Sequence, residues 1–213
     1  MNMNRIKSII WTNILLLLII TGGCAGVSEE AKYSVVLKEG DLELRRYERQ
    51  IVAETIVEGD FDEVGNEAFR RLFGYISGKN RKDESIPMTA PVSQEKEGEK
   101  IPMTAPVNQE RTGDQWSITF LMPSQYTLQT LPAPLDERVH LREAPERLMA
   151  AITYSGTWKR KRYEQHKEKL LDWMRDKQLE QVGEPVYARY NPPFTPWFMR
   201  RNEVLIPVRE YGN

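Results

Sequence analysis

Three groups of side chains in this sequence have the types and spacing to hold a ligand. Phe69 and Phe73 flank Arg70 and Arg71 on one predicted helix. Met88 and Met103 occupy the same place in a repeated heptapeptide: Ile86-Pro87-Met88-Thr89-Ala90-Pro91-Val92 returns unchanged as Ile101-Pro102-Met103-Thr104-Ala105-Pro106-Val107. Tyr190 opens a stretch dense in aromatics and prolines that ends in Arg200 and Arg201. Rings and thioethers cover an apolar face, and methionine adapts to irregular shapes. Guanidinium groups pair with carboxylates. Together they suit a flat, apolar ligand with acidic groups at one edge. Signatures of catalysis are missing: the chain has no Gly-x-Ser-x-Gly elbow, His-Glu-x-x-His pair or Gly-x-Gly-x-x-Gly turn. Both histidines are isolated. His166 falls beside the apolar stripe of a helix and reads as a packing residue before a ligand. His140 alternates with Val139 and Leu141 and reads as a solvent-facing strand residue. Two such histidines give little basis for a dedicated metal site.

The heptapeptide also carries a resemblance. Ile-Pro-Met-Thr-Ala-Pro-Val resembles the signature segment of the SOUL haem-binding protein family. Phe120-Leu121-Met122-Pro123-Ser124-Gln125-Tyr126, followed by Leu131-Pro132-Ala133-Pro134, resembles that family's central strand and turn. Tyr190-Asn191-Pro192-Pro193-Phe194-Thr195-Pro196, followed by Arg200-Arg201-Asn202-Glu203-Val204, resembles its C-terminal signature. The match runs from about residue 33 to 208. It implies non-covalent, reversible binding of haem or a related tetrapyrrole in an apolar groove. The groove would be bordered by the first helix, the doublet and the 190–201 loop. Candidate contacts are Phe69, Arg70, Arg71, Phe73, Met88, Met103, Tyr190, Arg200 and Arg201, with His166 the weak candidate for iron. No Cys-x-x-Cys-His occurs, so covalent attachment of a c-type haem is excluded. Two alternatives stay open. One is binding of other flat apolar or cationic effectors, similar to gyrase-inhibitor-like effector-binding domains. The other is a hydrolase using a groove carboxylate such as Glu67. A binding role is expected ahead of an enzymatic one.

Arg5 and Lys7 precede an apolar run from Ile9 to Ile20, and Thr21-Gly22-Gly23 leads to Cys24, the only cysteine. The run is short for a membrane span and has no stop-transfer pattern after it. It reads as a secretory leader over residues 1–23, and its end resembles a bacterial lipoprotein signal in which Cys24 is lipidated. Thr21 stands where that signal usually has leucine. Residues 24–32 then form a short tether, and 33–210 a single domain. The expected location is the periplasmic face of an outer membrane, with the protein a monomer. One cysteine excludes an internal disulfide framework. The net charge of −1, from 30 basic and 31 acidic residues mixed along the chain, gives nucleic acid no basic block to bind.

These groups need a frame. Phe61, Val64, Ala68, Leu72 and Ile76 form a 3–4 spaced stripe, predicting a helix over 61–77, with Asp60 as N-cap and Gly78 as stop. Strands are expected at 33–37, 42–47, 51–57 and 116–120. The doublet, with two prolines per copy, reads as extended edge segments around the charged tip 95–100. The pattern then restarts. With Leu44-Arg45 set on Leu141-Arg142, Ala53 falls on Ala150 and Gly59 on Gly156. A second helix over 158–177, capped by Thr157, corresponds to the first, and strands at 186–190 and 204–208 close the chain. The expected fold is α+β: two pseudo-symmetric units forming one curved antiparallel sheet or distorted β-barrel, flanked by two long helices.

Overall fold

A computed structural model describes residues 28–81 and 98–210. The leader, Cys24 and the first copy of the doublet with Met88 lie outside the described residues. The chain runs β1 (Tyr33–Glu39), β2 (Leu42–Tyr47), β3 (Gln50–Val57), α1 (Val64–Ile76), β4 (Asn80–Arg81), β5 (Val107–Thr112), β6 (Gln115–Leu121), β7 (Ala133–Pro134), β8 (His140–Ala144), β9 (Arg147–Tyr154), α2 (Arg160–Asp176), β10 (Leu179–Gln181), β11 (Val186–Arg189), a 3-10 turn (Trp197–Met199) and β12 (Asn202–Glu210). Nine strands form one strongly curled antiparallel sheet in the order β1-β2-β9-β12-β11-β5-β6-β3-β8, and β10 pairs with the end of β12. β4 and β7 form a separate two-stranded ladder. The fold class is the α+β one expected.

The order of the sheet is nearly a palindrome of the two units. β2 pairs with β9, and its counterpart β8 pairs with β3. β12 stands beside β9 as β6 stands beside β3. The halves join where β11 pairs with β5. Each unit thus lends its first strand to the other. The matched glycines serve one purpose. Gly59 (φ 129°) and Gly156 (φ 139°) turn the chain out of β3 and β9 toward the helices, in a backbone region closed to most side chains.

Both helices pack on one face of the sheet. Leu72, Ala68, Val64 and Ile76 of α1 cover Ala53, Val57, Ile118 and Phe120. Leu170, Tyr163 and Met174 of α2 cover Leu44, Ala150, Val204 and Ile206. The opposite face carries a third cluster: Tyr47, Met149, Ala151, Val186, Ala188 and Leu205, with Tyr33 and Tyr190 against it. Both helices start later than the sequence predicts. Asp60 serves α1 through its backbone carbonyl, which accepts from Glu63 and Val64; no side chain caps the helix. α2 begins at Arg160, without a cap from Thr157. Trp158 is held away from the helix by its indole N–H, which donates to Asn202 at 2.8 Å. The second copy of the doublet departs from an edge hairpin. Residues 101–106 run irregularly from α1, where Ile101 N–H donates to the Ile76 carbonyl, to Ala105, bridged to Glu30. The chain then enters β5, which lies at the centre of the sheet.

A cationic cleft on the first helix

The 3.6-residue turn of α1 puts Leu72 toward the sheet and Glu67, Arg70, Arg71 and Gly74 on a neighbouring side. There they line a cleft of about 260 Å³ with Tyr75, Lys79, Asp136 and Arg138. Arg71 is largely tied down: its guanidinium donates to Thr55 Oγ1 (3.1 Å) and the Ile56 carbonyl (3.3 Å), and it is ion-paired with Glu67. Arg138 grips Asp136 through two bonds of 2.8 Å, which hold that carboxyl down at about 2. Arg70 donates only to the Asn66 carbonyl, at 3.3 Å, and neither Arg70 nor Lys79 has a carboxylate partner among the described residues. Among the described residues the cleft therefore presents two uncompensated cations. Phe73 lies one step further round the helix, 46% exposed and stacked on Phe69, whose other contact is Phe120 in the core. Met103 and the residues 190–201 do not line this cleft.

The C-terminal residues are engaged elsewhere. On the sheet face opposite the helices, Glu203 is wholly buried and held by two guanidiniums: Arg45 at 2.8 Å and Arg201 at 2.9 Å. Tyr190 and Thr153 donate their hydroxyls to the same carboxylate at 2.7 and 3.1 Å. Arg45 also binds Glu43 at 2.6 Å and lies over the Tyr33 ring. Arg201 reaches out to Glu30 at 2.8 Å and lies over Tyr190. Burial pushes the Glu203 pKa up, but Arg45, Arg201 and Tyr190 overcome it and hold the group below the ordinary value of 4.5. Arg142, which matches Arg45 in the second unit, makes a two-bond pair with Glu54 at 2.8 Å. Glu110 lies within the charge of Arg147 and Arg142, and burial raises its pKa. Arg200 donates to the Thr195 and Pro193 carbonyls of its own loop and stacks on Trp158 at 4.1 Å.

His166 is 9% exposed, its Nδ1 lies 2.8 Å from the Arg162 carbonyl and its ring stacks on Tyr154 at 3.9 Å. Burial holds its pKa below the ordinary value, so it packs as a neutral ring in α2. His140 is exposed. Among the described residues no group of three or more His, Cys, Asp or Glu is placed to hold a metal ion. Sequence reasoning missed Lys79, Asp136 and Arg138, which come to the cleft from loops without a pattern of their own. It also missed Glu43, Arg45 and Glu203, although a glutamate inside the run Asn202-Glu203-Val204-Leu205-Ile206 is a signal that can be read.

A duplicated strand–strand–helix unit, interlaced into one curled sheet with an open cationic cleft beside a helix, defines a two-helix, curled-sheet class of domain. Solved structures share it. The EcmrR C-terminal domain matches with a TM-score of 0.54 at 10% identity, over 84% of this chain and 98% of that one. A hydrolase from Listeria innocua matches with a TM-score of 0.55 at 13% identity, over 82% and 94%. At these identities the likeness is one of fold. Sequence goes further: the model of the family described as SOUL heme-binding protein matches residues 28–207, and this chain belongs to that family. Among its relatives, heme-binding protein 1 of Xenopus tropicalis is 28% identical over 84% of this chain and 86% of its own length. Human heme-binding protein 2 is 27% identical over 80% and 82%.

Proposed function

We propose that this chain binds haem or a related tetrapyrrole non-covalently and reversibly, while an N-terminal lipid anchor on Cys24 holds it in a bacterial cell envelope. Membership of the family supports the ligand. The observation that carries the site is the pair of cations Arg70 and Lys79, without a carboxylate partner among the described residues, beside the half-exposed ring of Phe73. This donor set fits an apolar disc with carboxylates on one edge. At about 260 Å³ the cleft seats an edge and does not enclose a whole ligand. Affinity then comes from apolar contact at about 25 cal/mol per Å², less the costs of association, with the cations adding orientation. When bound, the tetrapyrrole would supply its iron and conjugated ring. The chain supplies Phe73, Arg70 and Lys79, without a histidine on the iron. The pairing of Glu203 with Arg45 and Arg201, of Glu43 with Arg45, and of Glu54 with Arg142 counts against the cationic-effector alternative.

Haemin titration with the Soret band as readout tests this reading. Saturable binding is expected at micromolar haemin. Arg70→Ala and Lys79→Ala should each weaken haemin by up to about 1 kcal/mol, several-fold in affinity, because both groups are exposed. They should leave a porphyrin without propionates unaffected. His166→Ala should keep the parent spectrum. No saturable Soret change in the parent, or equal losses for both porphyrins, would sink the proposal.

A further inference from the structure

The loop before β12 exposes its largest apolar side chains. Phe194 is 86% exposed, Trp197 58%, Phe198 61% and Met199 65%, within a six-residue stretch. This tip is preformed. Met199 N–H donates to the Pro196 carbonyl and Thr195 N–H to the Pro192 carbonyl, and Arg200 ties down the Pro193 and Thr195 carbonyls from inside. Asn191 accepts from Arg201 N–H and fastens the base. A mobile loop can fold its rings inward; one braced like this holds them in water. Exposed apolar patches of this kind mark a surface that meets something else.

Charge and chain path identify what it meets. Arg200 has no carboxylate partner among the described residues and lies on Trp158, which leads directly into exposed Lys159, Arg160 and Lys161. Aromatic rings with basic residues at their edge are the composition of a lipid–water interface. The tether arrives at the same place. Ser28 Oγ donates to the Met103 carbonyl, and Glu30 is paired with Arg201 at the base of the loop. Five residues lie between Cys24 and Glu30, and the six steps of an extended chain span no more than about 21 Å. Whatever membrane holds Cys24 therefore lies within reach of the loop.

We infer that the 194–200 loop is a second membrane contact: Phe194, Trp197, Phe198 and Met199 enter the interface of the anionic bilayer that holds Cys24, with Arg200 at the phosphate level. The inference rests on the membrane-anchored reading above and adds a fixed orientation, with the loop toward the bilayer. The full chain carrying Trp11→Phe and Trp158→Phe is reconstituted, without haem, into phosphatidylglycerol vesicles doped with brominated lipid, and flotation and tryptophan emission are measured. Trp116 and Trp173 are buried, so quenching reports chiefly on Trp197. The expected result is flotation with loss of emission, and removal of that loss by Trp197→Phe. Flotation without quenching, or quenching that survives Trp197→Phe, overturns the loop contact and leaves the anchor standing. A chain that does not float overturns both. Emission that shifts with protein concentration and not with vesicles assigns the loop to a protein partner and also overturns the inference.

Discussion

Glu203 sits where a lone carboxylate would not stay ionised. Its side chain is fully buried within a strand of valine, leucine and isoleucine, and moving such a charge out of water costs several kcal/mol. Arg45 and Arg201 offset that cost, and the hydroxyls of Tyr190 and Thr153 satisfy the remaining lone pairs. Breaking the arrangement from one side leaves the buried Arg45 with Glu43 alone and Arg201 with Glu30 alone. Glu203→Gln is therefore expected to destabilise the protein by about 3 kcal/mol, or roughly 6–12 °C in Tm. The pH dependence follows from the direction of the shift. The Glu203 pKa is lower in the folded chain than its ordinary 4.5, so its contribution is complete above that pH and is lost as pH falls through the folded value. Thermal melts of parent and Glu203→Gln should differ most near neutrality and converge in acid. A gap that stays constant down to the acid limit would mean the ionised form contributes nothing.

At the scale of the element, α1 separates core from site within two adjacent residues. Leu72 is fully buried against the sheet, and Phe73 is half in solvent. Leu72→Asp puts an uncompensated charge into the core and should cost about 4 kcal/mol. Phe73→Ser should cost little stability but weaken haemin. A urea melt and a Soret titration of both variants check the division; equal destabilisation would place Phe73 in the core. The helix was legible because its stripe repeats at 3 and 4, and β3, β6 and β12 because their apolar residues are frequent or alternate. β5 was not. Asn108, Gln109 and Glu110 read as a polar tail, yet they lie in the middle of the sheet, where Gln109 donates to the Phe61 carbonyl and accepts from Arg189. A polar residue satisfied by a distant partner carries no local sign of burial. The helix starts failed for a related reason. Asp60 and Thr157 have the right side chains for caps, but the approach to each helix is set by tertiary contacts, such as that of Trp158 with Asn202. The cationic cleft was half legible: Arg70 and Arg71 stand together in sequence, but Lys79 and Arg138 reach them only through the fold.

For the whole molecule, the weak internal match between Leu44-Arg45 and Leu141-Arg142 proved to be the plan of the sheet. If each unit closed on itself, β2 would lie beside β3 and β8 beside β9. Instead β2 lies against β9 and β8 against β3, so the two halves are braided through four strands, and β11 and β5 add a third seam. Cutting the chain between β7 and β8 would leave β2, β3 and β5 of the first half with unpaired backbone edges, and Leu44 of β2 without the α2 side chains that cover it. The same loss would fall on β8, β9 and β11. Unsatisfied edges and exposed apolar faces are too costly for either half to fold alone. The chain should therefore unfold as one unit despite its two similar halves. Calorimetry is expected to show one transition, with the calorimetric enthalpy equal to the van't Hoff value. Destabilising one unit through Leu72→Asp should then lower the melting of α2 as much as that of α1, because α2 packs on strands that are paired with the first unit. Hydrogen exchange measured residue by residue separates the outcomes. A uniform loss of protection across both helices supports the braided plan; loss confined to α1 and its strands would show that the units are energetically independent.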